Sequence, residues 1–225
     1  MQKALKSRAD IRVSCCAQVL GALFFASVQV PALAGRPLAV DDANVNDVGA
    51  GHVEMWFARQ PSGGEVLNIA PAYSPFAAFE FAALVARDRT TAATTTGTQV
   101  KWRVSESNEA GCNAAVSAAW SRTRGAAQVT GVNGIVSCNG KEFGSVHLNL
   151  GGTHASGNNH AAWGVALERA VGSLTPSLEW FGAQRQKTTA QLGLRADVAK
   201  GWQLDGTLNR SAGQGGASAG VKMQF

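Results

Sequence analysis

The sequence has no cluster of lysine and arginine outside its first residues, although its formal net charge is +5. Lys3, Lys6, Arg8 and Arg12 supply much of that charge. Without residues 1–34, which also contain one acidic residue, the net charge falls to +2. Because a nucleic-acid groove needs basic residues concentrated on the folded domain, no nucleic-acid partner is predicted.

Long apolar runs are also missing, apart from one at about residues 13–30. This run follows the basic head and leads to Pro31 and the small-residue triplet Ala32-Leu33-Ala34. The layout is that of a secretory signal peptide over residues 1–34, with Gly35 as the new N terminus. A membrane anchor is the alternative, but the run is short for a spanning helix and interrupted by Gln18 and Gln29.

Cysteine is scarce once the predicted signal peptide is set aside, because Cys15 and Cys16 belong to it. Cys112 and Cys138 remain, and neither has a cysteine or histidine nearby at metal-ligand spacing. No metal site or other cofactor is therefore predicted. In a chain exported to an oxidising compartment, a disulfide is the natural interpretation, and two free buried thiols are the alternative.

Helix-forming stretches rich in lysine, glutamate and leucine are absent after residue 50, and the pattern that recurs instead has period two. In residues 99–105, Val100, Trp102 and Val104 alternate with Gln99, Lys101, Arg103 and Ser105. Similar alternation recurs along the chain, in segments separated by glycine, serine, asparagine or threonine. Period two is the signature of strands whose two faces meet different environments.

A soluble β-sandwich and a membrane β-barrel both use two unlike faces, and three features favour the barrel. Tryptophan recurs on the apolar face, as expected for aromatic girdles at the two lipid interfaces. The last strand alternates and stops at Phe225, which resembles the signal read by the outer-membrane assembly machinery. The breaks also differ mildly in length, as expected for short periplasmic turns and longer external loops. The tryptophans concerned are Trp102, Trp120, Trp163, Trp180 and Trp202.

Counting the breaks predicts an all-β fold, a transmembrane antiparallel up-and-down β-barrel of about twelve strands over residues 51–225. Ten strands is the alternative, because residues 113–140 are rich in glycine and alanine and set their register poorly. Residues 35–50 are polar and glycine-rich, and are predicted to lie either in the periplasm or inside the barrel as a plug. Among the external loops expected is Thr153–Asn159, whose Ser-Gly-Asn-Asn run suits a turn.

The two remaining cysteines fit this layout. Cys112 and Cys138 are equidistant in sequence from Gly125, at the tip of the predicted 113–137 hairpin. In an antiparallel pair with that tip, they are cross-strand neighbours at the periplasmic end, close enough to form a disulfide.

By strand parity, one face carries charged side chains that would point into the lumen of the barrel. Charges that line a channel set its ion preference, whereas charges paired across strands would fill a closed interior. Both interpretations stay open. The predicted pore-lining residues are Glu80, Lys101, Arg103, His147, Glu168, Glu179, Arg195, Asp197 and Asp205.

The segment after the predicted cleavage site, Gly35-Arg36-Pro37-Leu38-Ala39-Val40-Asp41-Asp42-Ala43, is followed by Gly49, Gly51 and Glu54. It resembles the start of small outer-membrane proteins grouped as the MetA-pathway phenol-degradation family. That resemblance implies a barrel linked to the passage of small aromatic compounds. It covers about twenty residues and implies no particular site residue.

One enzymatic alternative comes from His154-Ala155-Ser156 with Glu168 twelve residues later. This arrangement is similar to the His-x-Ser…Glu pattern of outer-membrane lipid A deacylases, in which a carboxylate-oriented base activates a hydroxyl. Those barrels are smaller, and their motif lies near the chain's end. A closed structural or adhesive barrel is another alternative, although the predicted external loops are short.

Together these features predict a protein of the Gram-negative outer membrane that is not an enzyme. Its predicted function is the passage of small solutes, for which aromatic compounds are one candidate class. Its predicted partners are outer-membrane lipids, a small-molecule solute and the assembly machinery that would recognise Phe225.

Overall fold

The computed structural model describes residues 36–106 and 108–225. The signal peptide predicted at residues 1–34 lies outside the described residues. Within the described part of the chain, no helix is long and apolar enough to cross a membrane.

Twelve β-strands run through the described part of the chain in the order predicted from the breaks, so the twelve-strand count is confirmed and the ten-strand alternative is wrong. The strands are β1 (Gly51–Arg59), β2 (Glu65–Phe76), β3 (Phe79–Asp88), β4 (Thr94–Arg103), β5 (Gly111–Thr123), β6 (Gln128–Gly140), β7 (Gly144–Ala155), β8 (Asn158–Glu168), β9 (Leu174–Ala183), β10 (Thr189–Ala199), β11 (Trp202–Ser211) and β12 (Gln214–Gln224).

Each strand pairs antiparallel with its neighbours in sequence, and β1 pairs antiparallel with β12 to close the barrel. This closing seam runs in register from His52 opposite Gln224 to Arg59 opposite Ala217. Closure removes the unpaired strand edges that an open sheet would present. The predicted all-β, up-and-down barrel is therefore confirmed.

Alternation within the strands separates an outer face from a lumen face. The outer face exposes large apolar side chains, among them Met55, Phe57, Leu148 and Leu150, and all five tryptophans that the sequence assigned to it. The lumen face is mainly polar and buried, with small residues between the polar ones. An apolar exterior around a polar interior is the arrangement that membrane barrels use.

The barrel has two rims. The terminal rim is the one at which β1 begins and β12 ends, and the far rim is the opposite one. The far-rim connections are short, between two residues (156–157 and 212–213) and five (60–64, 89–93 and 184–188). Residues 104–110 form a longer connection at the terminal rim. The mild difference in length predicted between periplasmic turns and external loops therefore does not appear as a difference between the two rims.

The predicted loop Thr153–Asn159 is mostly strand. Only Ser156 and Gly157 turn, with φ of 50° and 77°, and Asn158 already pairs with Ala155. Two consecutive residues of positive φ form the tight hairpin turn whose twist matches that of the flanking strands. Asparagine favours turns by composition, but here the two-residue turn leaves Asn158 and Asn159 to the ladder.

Cys112 lies opposite Cys138 in the β5–β6 pair, and the two form a disulfide near the terminal rim. The predicted bridge is confirmed. Their neighbours Asn113 and Ser137 are buried in the lumen, so the disulfide lies on the outer face.

Candidate functional site

The lumen contains a stretch of the protein's own chain, residues 36–50, here called the N-terminal segment. Its backbone and side chains bond to side chains on β1, β3, β4, β6, β7, β9, β10, β11 and β12. Several of these partners, such as Glu80, Lys101 and Ser137, lie near the terminal-rim ends of their strands. The segment therefore crosses the terminal-rim half of the lumen before it joins β1.

Arg36 marks one end of the segment. Its Nε donates to Asp205 Oδ1 over 3.0 Å, Nη2 donates to the same oxygen, and Nη2 also lies 2.9 Å from Ser218 Oγ. The guanidinium carbon lies 5.1 Å from the centroid of the Trp56 ring. The carboxylate of Asp205 and the indole of Trp56 thus grip one guanidinium by charge-assisted hydrogen bonds and a cation–π contact.

The next residues are held through their backbone. Glu179 Oε2 accepts the N–H groups of Ala39 (2.7 Å) and Val40 (2.9 Å), while Gln191 donates to the carbonyl of Pro37 (3.3 Å). Glu179 is fully buried. A buried carboxylate needs hydrogen-bond donors, and here the segment's backbone supplies two of them.

Asp41 lies at the centre of the segment, and Lys101 binds it. The Lys101 ammonium lies 2.6 Å from Asp41 Oδ1 and also donates to the carbonyls of Asp42 (3.1 Å) and Asn44 (3.3 Å). Asn149 accepts the Asp41 N–H over 2.9 Å and donates to its carbonyl over 2.7 Å. Asp41 and Lys101 form a buried ion pair with hydrogen bonds on several sides, the form in which buried charges are tolerated.

A polar network in the wall lies under Ala43. The Ala43 N–H donates to Ser137 Oγ (2.8 Å), which lies 2.7 Å from His147 Nδ1. His147 Nε2 lies 3.5 Å from Glu168 Oε1, and the other oxygen of Glu168 lies 3.5 Å from Arg195 Nη1. The serine hydroxyl is covered by the segment, so this network holds the segment and presents no open nucleophile.

Apolar contacts also hold the segment against the wall. Leu38 and Val40 pack with Ala166 on β8, and Phe181 on β9 packs against this cluster. The approach depends on Gly164, because a Cβ at that position would lie 2.7 Å from Val40 Cγ2. A glycine in the wall therefore makes the space that Val40 fills.

Towards β1, the segment turns back to the wall at the terminal rim. Asn46 N–H donates to Glu80 (3.1 Å), and Gly49 N–H donates to the carbonyl of Ser74 (2.8 Å). At the seam, Gly51 and Phe225 exchange two backbone hydrogen bonds of 2.9 Å each.

The predicted pore-lining residues fall into three groups. Glu80, Lys101, Glu179 and Asp205 are buried and bond the N-terminal segment. The second group, the network under Ala43, consists of His147, Glu168 and Arg195. Finally, Arg103 is half-buried at the end of β4, and Asp197 is exposed near the terminal rim.

Sequence reasoning did not single out Trp56 and Ser137. Trp56 faces the lumen, in contrast to the other five tryptophans. Its orientation could have been predicted, because its neighbours Met55 and Phe57 belong to the apolar outer face. Ser137 follows from the disulfide, because a neighbour of an outward cysteine in a strand points inward.

The three residues of the deacylase pattern are not brought together. His154 bonds Asn159 near the far rim, whereas Glu168 ends β8 at the terminal rim and bonds with His147 and Arg195. His154 pairs with Asn159 across the ladder. The nine-residue separation of Asn159 and Glu168 corresponds to about 30 Å along the strand. The pattern therefore builds no catalytic group. Among the described residues, no group of three or more histidine, cysteine, aspartate or glutamate side chains could hold a metal.

Comparisons with known proteins agree with this architecture. A family model described as "Uncharacterised conserved protein UCP029691" matches residues 22–216. No curated protein sequence matches the chain.

Solved structures share the barrel at low sequence identity. A KdgM porin in complex with disordered oligogalacturonate is 12% identical, with a TM-score of 0.67, covering 77% of this chain and 99% of that chain. The NanC porin is 8% identical, with a TM-score of 0.61, covering 77% and 98%. The COG4313 outer membrane channel from Pseudomonas putida F1 is 11% identical, with a TM-score of 0.51, covering 82% and 98%. These similarities establish a porin-like outer-membrane barrel fold.

Proposed function

Because the chain belongs to the family described as uncharacterised conserved protein UCP029691 and has a porin-like fold, we propose that it is an outer-membrane channel for small solutes. In this proposal the N-terminal segment is a plug that occupies the lumen at rest and must shift for a solute to pass. The observation that carries the proposal is the segment itself, held across the lumen by side chains of nine strands.

The outer surface supports a place in the outer membrane. Trp102, Trp120, Trp163, Trp180 and Trp202 are exposed on the outer face together with leucine, valine and phenylalanine side chains. In water such a surface would drive association, whereas hydrocarbon accommodates it. Export by the predicted signal peptide and recognition of Phe225 by the assembly machinery belong to the same proposal.

The way the segment is held supports a removable plug. Its anchors are largely side-chain hydrogen bonds and ion pairs to Asp205, Glu179, Lys101 and Ser137. Water or a polar solute can replace bonds of this kind one by one, and net hydrogen-bond energies are small for that reason. Glu168 and Arg195 would then line the route with Lys101, Glu179 and Asp205.

The kind of solute is the finer part of the proposal. The resemblance of residues 35–43 to the MetA-pathway phenol-degradation family favours aromatic compounds. The family model that matches the chain has a different description and does not mention phenol degradation. Entry rates of phenol and of a sugar of similar size into proteoliposomes, each after subtraction of entry into protein-free liposomes, test this point. Faster entry of the sugar contradicts the aromatic preference without affecting the proposed channel.

The test of the channel compares full-length wild type with Asp41→Ala in a planar lipid bilayer. Loss of the Asp41 carboxylate removes the ion pair with Lys101 that holds the middle of the segment. We therefore expect longer open times and a larger mean current for Asp41→Ala. Asp47→Ala is the matched control, because Asp47 is exposed in the same segment, and it should behave as wild type.

Two outcomes contradict the proposal. If protein that is folded by its heat-dependent gel mobility passes no current in any of the three forms, it is not a channel. If all three pass the same steady current, the barrel conducts but the N-terminal segment does not plug it.

A further inference from the structure

The group of wall residues around Arg36 has the composition of a ligand site. Asp205 supplies a carboxylate, Ser218 a hydroxyl and Trp56 an aromatic face, and the three come from β11, β12 and β1. This group is called here the guanidinium clamp. We infer that the guanidinium clamp is a binding site for solutes that carry a guanidinium group, and that Arg36 is its intramolecular occupant. The inference rests on the proposed channel function and names a class of solute for it that is independent of the aromatic compounds considered above.

The geometry fits a planar, forked cation. Nε and Nη2 of Arg36 both donate to one oxygen of Asp205, and Nη2 also reaches Ser218. The guanidinium presents several N–H groups in one plane and keeps its π faces free for an aromatic ring. An ammonium is a compact point charge without this fork, so the guanidinium clamp should discriminate between the two cations.

Asp205 has unused capacity to accept hydrogen bonds. Its side chain is fully buried, and Oδ2 has no hydrogen-bond partner among the described residues. A buried acceptor without a partner is costly, and a second donor would remove that cost. The position of Arg36 is restricted because the backbone of the adjacent Pro37 is bonded to the wall. A free guanidinium has no such restriction and can turn to bond both oxygens of Asp205.

Charge around the guanidinium clamp also favours a cation. Glu54 accepts the backbone N–H of Arg36 and lies 3.3 Å from the ammonium of Lys222. Arg195 is the cross-strand neighbour of Asp205, but its guanidinium lies 3.5 Å from Glu168. When Arg36 leaves, the adjoining wall keeps two carboxylates, Asp205 and Glu54, against Lys222. The vacated position therefore has a net negative surrounding.

Binding is measured by titration calorimetry on full-length, refolded Arg36→Ala with ethylguanidinium chloride as the probe. Ethylguanidinium replaces the part of Arg36 that the variant lacks, so we expect saturable binding in the millimolar range. Ethylammonium chloride should bind at least about tenfold more weakly, because it lacks the planar fork. Equal binding of the two ions would overturn the inference.

Two further variants identify the site. Arg36→Ala with Asp205→Asn should lose the binding, while Arg36→Ala with Asp197→Asn should keep it, because Asp197 is an exposed carboxylate on the neighbouring strand β10. Arg36→Ala with Trp56→Leu should bind several-fold more weakly and keeps the test valid if Asp205→Asn does not fold. Binding that none of these changes affects would place the probe elsewhere and overturn the inference.

A bilayer recording separates this inference from the channel itself. Ethylguanidinium added to conducting Arg36→Ala should reduce the current by occupying the guanidinium clamp. A barrel that binds ethylguanidinium in the calorimeter and passes no current contradicts the channel and leaves the site in place. A barrel that conducts and ignores ethylguanidinium in both measurements contradicts the site and leaves the channel in place.

Discussion

Gly164 determines how closely the N-terminal segment can approach the barrel wall. It lies on the lumen face of β8, where a Cβ would be 2.7 Å from Val40 Cγ2. Real Cβ atoms do not approach other carbons so closely, and packed interiors rarely have space into which a branched side chain can shift. The cluster of Leu38, Val40 and Ala166 therefore depends on this glycine.

Gly164→Val should displace the segment without changing any charge in the lumen. We expect a larger mean current in planar bilayers, together with faster cleavage of the segment by an added protease. Gly206→Val is the matched control, because Gly206 on β11 has only a backbone oxygen at 3.5 Å from its ideal Cβ. Equal currents in the two variants would show that Val40 does not hold the plug against β8.

Lys101 and Asp205 show what parity reveals about a residue. Alternation places both on the lumen face, and both are there. Their partners Asp41 and Arg36 lie sixty or more positions away along the chain, in a segment without periodicity. Alternation predicts which face of the barrel a side chain lies on. It does not predict which distant segment of the chain that side chain contacts. Trp56 does not stand out in the sequence, because the other five tryptophans face outward.

At the scale of elements, the β5–β6 hairpin is held by both its ladder and its disulfide. The ladder runs in register from Arg122 opposite Gln128 to Gly111 opposite Asn139. Cys112 and Cys138 close it near the terminal rim, where the longer connection 104–110 enters β5. The bridge therefore adds a covalent link at the end of the hairpin opposite its turn.

Replacing both cysteines with serine should leave the barrel folded but less stable. The chain-entropy model gives a loss of about 3.5 kcal/mol for a bridge that closes a loop of this size. The bridge spans 26 positions in sequence. Urea unfolding in detergent, followed by tryptophan fluorescence, measures the loss. Conductance should not change, because the disulfide is on the outer face, and a changed single-channel current would contradict that placement.

The number and order of the strands were predictable from sequence, whereas the length of the connection between β7 and β8 was not. The 113–140 region looked ambiguous because glycine and alanine set little register, and the neighbouring ladders β4–β5 and β6–β7 fix it instead. The turn at Ser156 and Gly157 is shorter than its composition suggested. Asparagine is depleted in strands, but strand propensity depends on context, and pairing with Ala155 and His154 places Asn158 and Asn159 in the ladder.

At the scale of the whole molecule, the plug and the barrel can be joined covalently to test whether movement of the segment opens the lumen. A Cβ at Gly164 would lie 2.7 Å from a methyl carbon of Val40, one bond from its Cβ. The two Cβ atoms are therefore within the range that a disulfide requires. Val40→Cys with Gly164→Cys should form a bridge under oxidising conditions.

The oxidised double variant, in which the disulfide fixes the segment to β8, should pass no current until a reductant is added. Wild type treated with the same reductant controls for loss of the Cys112–Cys138 disulfide, and Val40→Cys alone controls for the changed side chain. Current that persists through the oxidised double variant would show that solutes and ions pass beside a fixed segment, and that movement of the segment is not needed.

The overall architecture was the most predictable feature of this protein, since strand alternation and the outward tryptophans both arise from the contrast between the two faces. The location of residues 36–50 was not predictable in the same way. Their composition suits a solvated tail as well as a lumen plug, and the difference lies in complementary partners spread over nine strands.

Arg36 touches both sides of the closing seam, bonding Ser218 on β12 and contacting Glu54 and Trp56 on β1. Arg36 can thus reach all of its partners only when β12 pairs with β1. β12 follows the other strands in sequence and is far from Arg36 along the chain, and pairing of distant segments is the slow part of folding. We therefore expect the segment to be captured only when the barrel shuts. Closure of the seam and filling of the lumen would then occur together. A barrel that lacks β12 would also fail to hold the N-terminal segment.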